Sequence, residues 1–289
     1  MHPTTRLPDP RGGHLTAHQE PRSGLLFIVS EELAMNRPDL VKDLKRLRLP
    51  GMADCLDLRV REAQQAKIGY LEFASLLVQD ELASRESNSF QKRLKAAAVS
   101  SRCTFESFDF EFNAGAFPPA TIRDLAACRF LDQRKNLVLA GPPGIGKSHI
   151  AQALGHEAAR RGLEVAFFKT HKLLDRLSID GSSVRRSALL LKRCLSAGLL
   201  VLDDFAFRAY SQRETEILYS LCDERLSVGS IVVTSNRPPE DWFAVFPDPV
   251  VGGAVMDRLV SGAIKLIVTS GRSFRKEGPE SLFSASIPA

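Results

Sequence analysis

The sequence predicts an α/β fold, with a parallel sheet flanked by helices and preceded by a small all-helical domain. Three observations lead to this prediction. After residue 136, short apolar runs alternate with amphipathic stretches, as in the strand–helix units of a parallel sheet. A glycine-rich loop separates the first apolar run from the first amphipathic stretch. Between residues 38 and about 100, leucines recur at helical spacing.

The composition limits the classes of function. The 289 residues carry a formal net charge of +5, which favours an anionic partner. Apolar runs are far shorter than the ~20 residues of a membrane-spanning helix, so no membrane partner is expected. The cysteines are scattered, odd in number and form no CxxC pair, which indicates reduced thiols in a cytoplasmic protein rather than a disulfide framework or a zinc site.

The first hundred residues divide into a leader and a helical domain. Residues 1–35 are rich in Pro, Gly and His without a hydrophobic period, so we expect a disordered leader. Residues 36–103 form the predicted helical N-terminal domain. A leucine stripe ends at Pro50 and Gly51, and a second begins at Met52. Two further helices are expected over residues 70–86 and 89–99.

A linker and the sheet domain follow. Residues 104–135 form a linker with four phenylalanines that we expect to dock it onto the next domain: Phe105, Phe108, Phe110 and Phe112. Residues 136–277 form the predicted sheet domain, and residues 278–289 a tail. Continuous apolar runs predict buried strands over residues 136–141, 164–169, 198–205 and 230–237. Helices are expected over residues 147–162, 170–179, 187–195 and 212–226.

The loop after the first strand reads GPPGIGKS and fits the pattern G-x-x-x-x-G-K-[ST] at every fixed position. Its glycines let successive N–H groups face inward, so that they and the following helix terminus cradle phosphates. Lys147 adds a cation, and Ser148 offers a hydroxyl to Mg²⁺. The motif therefore predicts ATP and Mg²⁺ as cofactors. The candidate nucleotide-binding residues are Gly141, Pro142, Pro143, Gly144, Ile145, Gly146, Lys147, Ser148 and His149.

Two later strands end in polar residues. Asp203 is placed to hold Mg²⁺ through water, and Asp204 to position or deprotonate the attacking water. The alternative is an acidic turn after a core strand. Asn236 ends the next strand and could touch both the γ-phosphate and the water. The alternative for Asn236 is a plain strand-to-turn residue before Pro238.

The order of motifs resembles the IstB-like ATPases, the helper ATPases of bacterial insertion-sequence transposition and relatives of the replicative helicase loaders. The likeness spans residues 38–277 and rests on LPGM, GPPGIGKSH, LLVLDDF, TSNRPPEDW, DRLVSGA and GRSFR. It implies an AAA+ fold with Asn236 as sensor 1, Arg258 as an arginine finger acting across a subunit interface, and Arg275 as sensor 2. Patterning alone cannot distinguish these arginines from surface residues.

The resemblance also implies partners. It implies ATP-dependent assembly of a homo-oligomer, as a ring or spiral, on duplex DNA, and delivery of that target to a transposase. Asp204 departs from the glutamate that many AAA+ proteins carry, so we expect slow hydrolysis stimulated by DNA or a partner. By analogy with helicase loaders, a basic segment is the predicted DNA surface, the alternative being a solvated face. Its residues are Lys169, Lys172, Arg176, Arg185, Arg186, Lys192 and Arg193.

Two other functions share this ATPase core. A replication adaptor that loads a helicase would differ in its N-terminal partner contacts, which sequence does not assign. A P-loop kinase for a small metabolite would need an acceptor pocket and a phosphate-clamping lid, and the basic segment fits it poorly. DNA-stimulated phosphate release, rather than phosphoryl transfer to a metabolite, would separate these alternatives.

Overall fold

The computed structural model describes residues 37–178 and 184–277. The predicted leader and the predicted tail lie outside the described residues. The chain divides into two compact units between Arg85 and Glu86. The predicted domain boundary at residue 103 stays a prediction.

The described part of the first unit, residues 37–85, consists of helices. They are α1 (Arg37–Arg46), α2 (Pro50–Ala66) and the first part of α3 (Tyr70–Ala97). Pro50 stands in the first turn of α2, where its missing N–H costs nothing. The buried carboxylate of Glu81 accepts hydrogen bonds from the backbone N–H groups of Gly51 (2.7 Å) and Met52 (3.2 Å). A Cβ at Gly51 would lie 2.7 Å from the carbonyl oxygen of Asp80, so glycine permits the close approach of α2 and α3.

The prediction of separate helices over residues 70–86 and 89–99 is wrong. The structure has one continuous helix, α3. The residues between the two predicted helices include no Gly or Pro, so nothing breaks the backbone hydrogen bonding there.

The second unit contains the sheet and its helices. Two helices precede the sheet, α4 (Pro119–Ala126) and α5 (Arg129–Asp132). The order is then β1 (Leu137–Ala140), α6 (Lys147–Arg160), β2 (Val165–Lys169), α7 (Thr170–Leu177), α8 (Val184–Ser196), β3 (Leu199–Phe205), α9 (Gln212–Arg225), β4 (Ser230–Ser235), a 3₁₀ helix (Pro239–Val245), α10 (Pro249–Val260), β5 (Ile264–Ile267) and α11 (Phe274–Glu277).

The five strands form one parallel sheet in the order β2-β3-β4-β1-β5. The predicted α/β fold and the four predicted strands are confirmed, whereas β5 was not predicted. Leu137 and Leu139 face one hydrophobic core, and Val138 and Ala140 face another. Because both faces are covered, the loops at the two edges of the sheet are its accessible parts, and ligands bind at the carboxyl edge in such folds.

The cysteines and the helices can be compared with what the composition predicts. All five cysteines lie among the described residues and are free thiols. Within residues 37–178 and 184–277, no helix has the length and apolar character needed to cross a membrane.

Candidate nucleotide-binding site

Lys147 lies at the start of α6, directly after the glycine-rich loop. Its Nζ donates hydrogen bonds to the carbonyl oxygens of Gly141 and Pro142, both at 2.7 Å, and to Oδ1 of Asn236 at 2.9 Å. Burial lowers the pKa of Lys147 to about 8, although the nearby carboxylates of Asp204 and Asp203 act in the opposite direction. The structure therefore brings together the predicted phosphate-binding lysine and the predicted sensor-1 amide.

Buried Asp203 and Thr234 form a cluster with half-buried Ser148 beside this lysine. The Oδ1 atom of Asp203 accepts hydrogen bonds from Oγ of Ser148 (2.7 Å) and from Oγ1 of Thr234 (2.6 Å). Hydroxyl and carboxylate oxygens are the ligands that Mg²⁺ prefers. The two residues predicted to hold the metal are thus adjacent and chemically suited to it. Thr234, which orients the carboxylate, was not predicted.

Asp204 lines the cavity, while Asp203 contacts Ser148 in its wall, and a local irregularity in β3 brings the two aspartates to one site. The register between β3 and β4 shifts between Leu202 and Phe205. Asp204 has a φ of 56°, and its backbone N–H donates to Oγ1 of Thr234 at 3.1 Å. Consecutive strand residues normally point to opposite faces, and this bulge lets both aspartates serve one site. The Asp204 carboxylate accepts a hydrogen bond from Nζ of Lys169 at 2.8 Å.

The predicted linker forms one wall of the site. The Phe108 ring would be 3.3 Å from a Cβ at Gly146, a residue with a φ of 112°. It also lies 5.4 Å from the His149 ring, whose Nε2 is 2.9 Å from the carbonyl oxygen of Thr104. The linker phenylalanines do dock on the sheet domain. Their position beside the phosphate loop was not predicted.

The segment at residues 271–277 closes the site from the other side. The side-chain amide of Asn113 donates to the carbonyl oxygens of Ile145 (3.3 Å) and Arg272 (2.9 Å), and its Oδ1 accepts from the Arg272 N–H at 3.0 Å. The rings of Phe112 and Phe274 meet edge to face, with centroids 5.0 Å apart. These contacts hold α11 against the linker.

The resulting cavity has a volume of about 240 Å³. It contains six of the predicted phosphate-loop residues from Pro143 to Ser148, together with His149, Asp204, Asn236 and Arg275. Six further residues line the cavity and were not predicted as site residues: Ser107, Phe108, Asp109, Phe112, Asn113 and Phe274. The predicted sensor-2 arginine therefore lies with two of the three predicted catalytic residues, Asp204 and Asn236.

Arg258 lies elsewhere, at the amino edge of the sheet. Its carbonyl oxygen accepts a hydrogen bond from Asn136, the residue that precedes β1. Its guanidinium donates to Asp223 (2.7 Å) and stacks over Tyr219, 4.5 Å from the ring centroid. Lys147 lies beyond the opposite end of β1. This four-residue strand is about 13 Å long at a rise of about 3.3 Å per residue. Arg258 is thus separated from its own subunit's phosphate loop.

The predicted DNA-binding residues lie on β2, α7 and α8 of the second unit. Five of them are exposed: Lys172, Arg176, Arg185, Arg186 and Lys192. Lys169 is also exposed, but its ammonium is paired with Asp204. Arg193 is half-buried, stacks over Phe168 and donates to the carbonyl oxygen of Ala96. The DNA contacts of all seven stay predictions.

Relatives of this chain are found among insertion-sequence proteins. Residues 42–280 match the family model described as IstB-like ATP binding protein. The chain is 40% identical over 239 residues to an ATP-binding protein in an insertion sequence of Mycobacterium tuberculosis, covering 82% of this chain and 94% of the relative. It is 31% identical over 232 residues to the ATP-binding protein of insertion sequence IS21 from Pseudomonas aeruginosa, covering 80% and 86%.

Similar solved structures cover a little more than half of this chain. The DnaC helicase loader is 23% identical with a TM-score of 0.43, over 52% of this chain and 87% of that structure. DnaI is 19% identical with a TM-score of 0.49, over 58% of this chain and 92% of that structure.

Proposed function

Because the chain belongs to the family of IstB-like ATP-binding proteins, we propose that it is a DNA-dependent ATPase that delivers target DNA to a transposase. The chain is an insertion-sequence ATP-binding protein of the IS21 type with the P-loop AAA+ fold. The matched family and the relatives are described as ATP-binding proteins, which supports ATP use and ATPase activity by this chain. The DNA-dependent steps, the oligomer and the transposase contact are the parts that we propose.

One observation carries the proposal. Lys147 meets Asn236, and Ser148 meets Asp203, at the carboxyl edge of the sheet next to Asp204. In the proposed reaction a water oxygen attacks the γ-phosphorus, the bond to the β-phosphate oxygen breaks, and the Asp204 carboxylate takes the proton. Mg²⁺, when bound by Ser148 and Asp203, would neutralise charge on the phosphate oxygens. The aromatic wall formed by Phe108 and its neighbours suits an adenine ring.

The ion pair between Lys169 and Asp204 supports control of hydrolysis by DNA. The Asp204 carboxylate accepts a hydrogen bond from the Lys169 ammonium at 2.8 Å, so it is already engaged and is not free to position an attacking water. Lys169 belongs to the predicted DNA surface and is exposed. A DNA phosphate that drew Lys169 away would free Asp204 to act on the water. Slow hydrolysis without DNA and faster hydrolysis with DNA would follow.

ATP hydrolysis by the full chain tests this coupling. We expect a slow basal rate that duplex DNA raises severalfold at low salt, and that salt suppresses as phosphate contacts weaken. Lys169→Ala should raise the basal rate and remove most of the stimulation. Lys172→Ala, an exposed lysine one turn away on α7, is the matched control and should keep a slow basal rate. An unchanged rate with saturating DNA in the wild type would refute DNA-dependent hydrolysis.

Target delivery needs a second measurement with the transposase of the same insertion sequence. We expect that transposase to join transposon ends into duplex DNA only when this protein and ATP are present. Lys147→Ala should abolish the joining, because the phosphate loop loses the buried cation that binds the nucleotide. Equal joining with and without this protein would contradict the delivery role.

A further inference from the structure

A rigid loop after β3 holds one aromatic ring out in solvent. Phe205 and Ala206 are fully buried, and the next residue, Phe207, is 63% exposed. The backbone N–H of Ala206 donates to the hydroxyl of Tyr210 at 2.8 Å, and the N–H of Tyr210 donates to the carbonyl oxygen of Val245 at 2.8 Å. The loop is therefore fixed by buried residues on both sides of the exposed ring.

Arg208 fixes the other side of the loop. Its guanidinium donates to both carboxylate oxygens of Glu214, at 2.6 and 3.1 Å, and to Asp175 on α7 at 3.0 Å. Glu214 is itself part of the capping box of α9, where its carboxylate accepts from the Ser211 N–H at 2.7 Å. The loop that carries Phe207 is thus held in place, so binding a partner would cost little conformational entropy.

The ring lies against α7, a helix that carries basic side chains outside the ATP cavity. Phe207 packs against His171 on α7, with ring centroids 5.7 Å apart and an interplanar angle of 36°. Lys172 and Arg176, on the same helix, are exposed. Ser187 on α8 donates to the carbonyl oxygen of Arg176 at 2.9 Å, which joins this surface to the helix that carries Arg185 and Arg186.

We propose that Phe207 contacts the face of a nucleobase when the protein binds duplex DNA. This inference rests on the proposed DNA binding and adds a base contact to it. Exposed cations on α7 and α8 would draw phosphates to this surface, and a rigid aromatic ring beside α7 can stack on, or wedge between, the bases. The exposed cations of these two helices favour a nucleic acid over a protein as the occupant. The partly buried His171 supports the ring from behind.

Salt-dependent DNA affinity separates a base contact from a phosphate contact. We expect Phe207→Ala to weaken duplex binding about tenfold with ATP present, the scale of one lost base–aromatic contact. The slope of log affinity against log salt should stay at the wild-type value, because no phosphate contact is lost. Phe207→Trp should bind like the wild type. Phe243→Ala, which removes a ring of similar exposure (51%) from the 3₁₀ helix, is the control and should have no effect.

Fluorescence of a duplex containing 2-aminopurine reports the base contact directly. Wild-type protein should change the 2-aminopurine signal, and Phe207→Ala should change it much less at saturating protein. If Phe207→Ala binds DNA with wild-type affinity and changes the 2-aminopurine signal as much as the wild type does, the inference is overturned while DNA binding stands. Normal DNA binding with lost self-association in the ultracentrifuge would also overturn it, in favour of a protein contact. Absence of DNA binding by the wild type would instead refute the proposed function itself.

Discussion

At the scale of single residues, the site is defined by what Lys147 can contact. The lysine is 6% exposed, and its partners are two carbonyl oxygens and an amide oxygen rather than a carboxylate. A buried ammonium without a direct carboxylate partner loses much of its hydration, which explains the lowered pKa. The triphosphate of ATP would supply the missing negative charge and favour the protonated lysine.

We therefore predict that ATP binding takes up a proton at alkaline pH. With a pKa of about 8, Lys147 is mostly charged at neutral pH and mostly neutral about one unit above its pKa. ATP should bind with almost no proton uptake at about pH 7 and with uptake of nearly one proton at about pH 9. Calorimetry in buffers of different ionisation enthalpy measures this number.

The matched control for this prediction is Lys147→Arg, which keeps a cation that does not titrate in this range. Its ATP binding should show no additional proton uptake at alkaline pH. Equal uptake by the wild type and by Lys147→Arg would assign the proton to another group and contradict the prediction.

At the scale of elements, the buried strands and the motif loops were predicted from the sequence. The edge strand β5 and the segments that support the site were not. The four predicted strands are buried apolar runs, whose pattern does not depend on what covers them. The missed strand β5 is four residues long, contains Lys265 and alternates between half-buried and exposed positions. It pairs only with β1 in the sheet, so its sequence carries a weak signal.

The site shows the same division between predicted and missed residues. Lys147 and Ser148 belong to a fixed motif, because phosphate and metal chemistry restrict which residues can serve. The aromatic wall needs only an apolar surface of suitable shape, which many residues provide. Phe112 and Phe274 are separated by 162 positions, and their contact depends on tertiary structure. A run of phenylalanines shortly before a phosphate loop is the signal that could have indicated this wall.

Asn113 tests whether the linker and α11 close the site as one element. Its side chain makes three hydrogen bonds that join the linker to the phosphate loop and to Arg272. Asn113→Ala should release α11, move Arg275 away from the cavity and weaken ATP binding about tenfold, the scale of one or two lost hydrogen bonds. The melting temperature without ATP should fall only slightly, because the sheet core is untouched.

Glu111→Ala is the control for this variant, since it changes an exposed side chain on the same linker. It should bind ATP like the wild type. Wild-type affinity in Asn113→Ala, measured by calorimetry, would show that the linker contact does not govern nucleotide binding.

At the scale of the whole molecule, we propose that a second subunit completes the active site. The cavity contains Lys147 and Arg275, but Arg258 lies at the opposite edge of the sheet. There it is held by Asp223 and Tyr219, so the predicted contact with a γ-phosphate would require another subunit. An arginine supplied in this way raises hydrolysis by roughly 10³–10⁵ in other NTPases. The rate of ATP hydrolysis would then depend on the assembly of subunits.

The most direct test of this shared site mixes two inactive variants on duplex DNA. Arg258→Ala should bind ATP but neither hydrolyse it nor assemble stably, and Lys147→Ala should fail to bind ATP. Mixed together, they should regain part of the hydrolysis, because Lys147→Ala subunits supply Arg258 to the intact phosphate loops of their neighbours. If no mixture regains activity while Arg258→Ala alone assembles normally on DNA, the site is not shared and Arg258 is a structural residue of its own subunit.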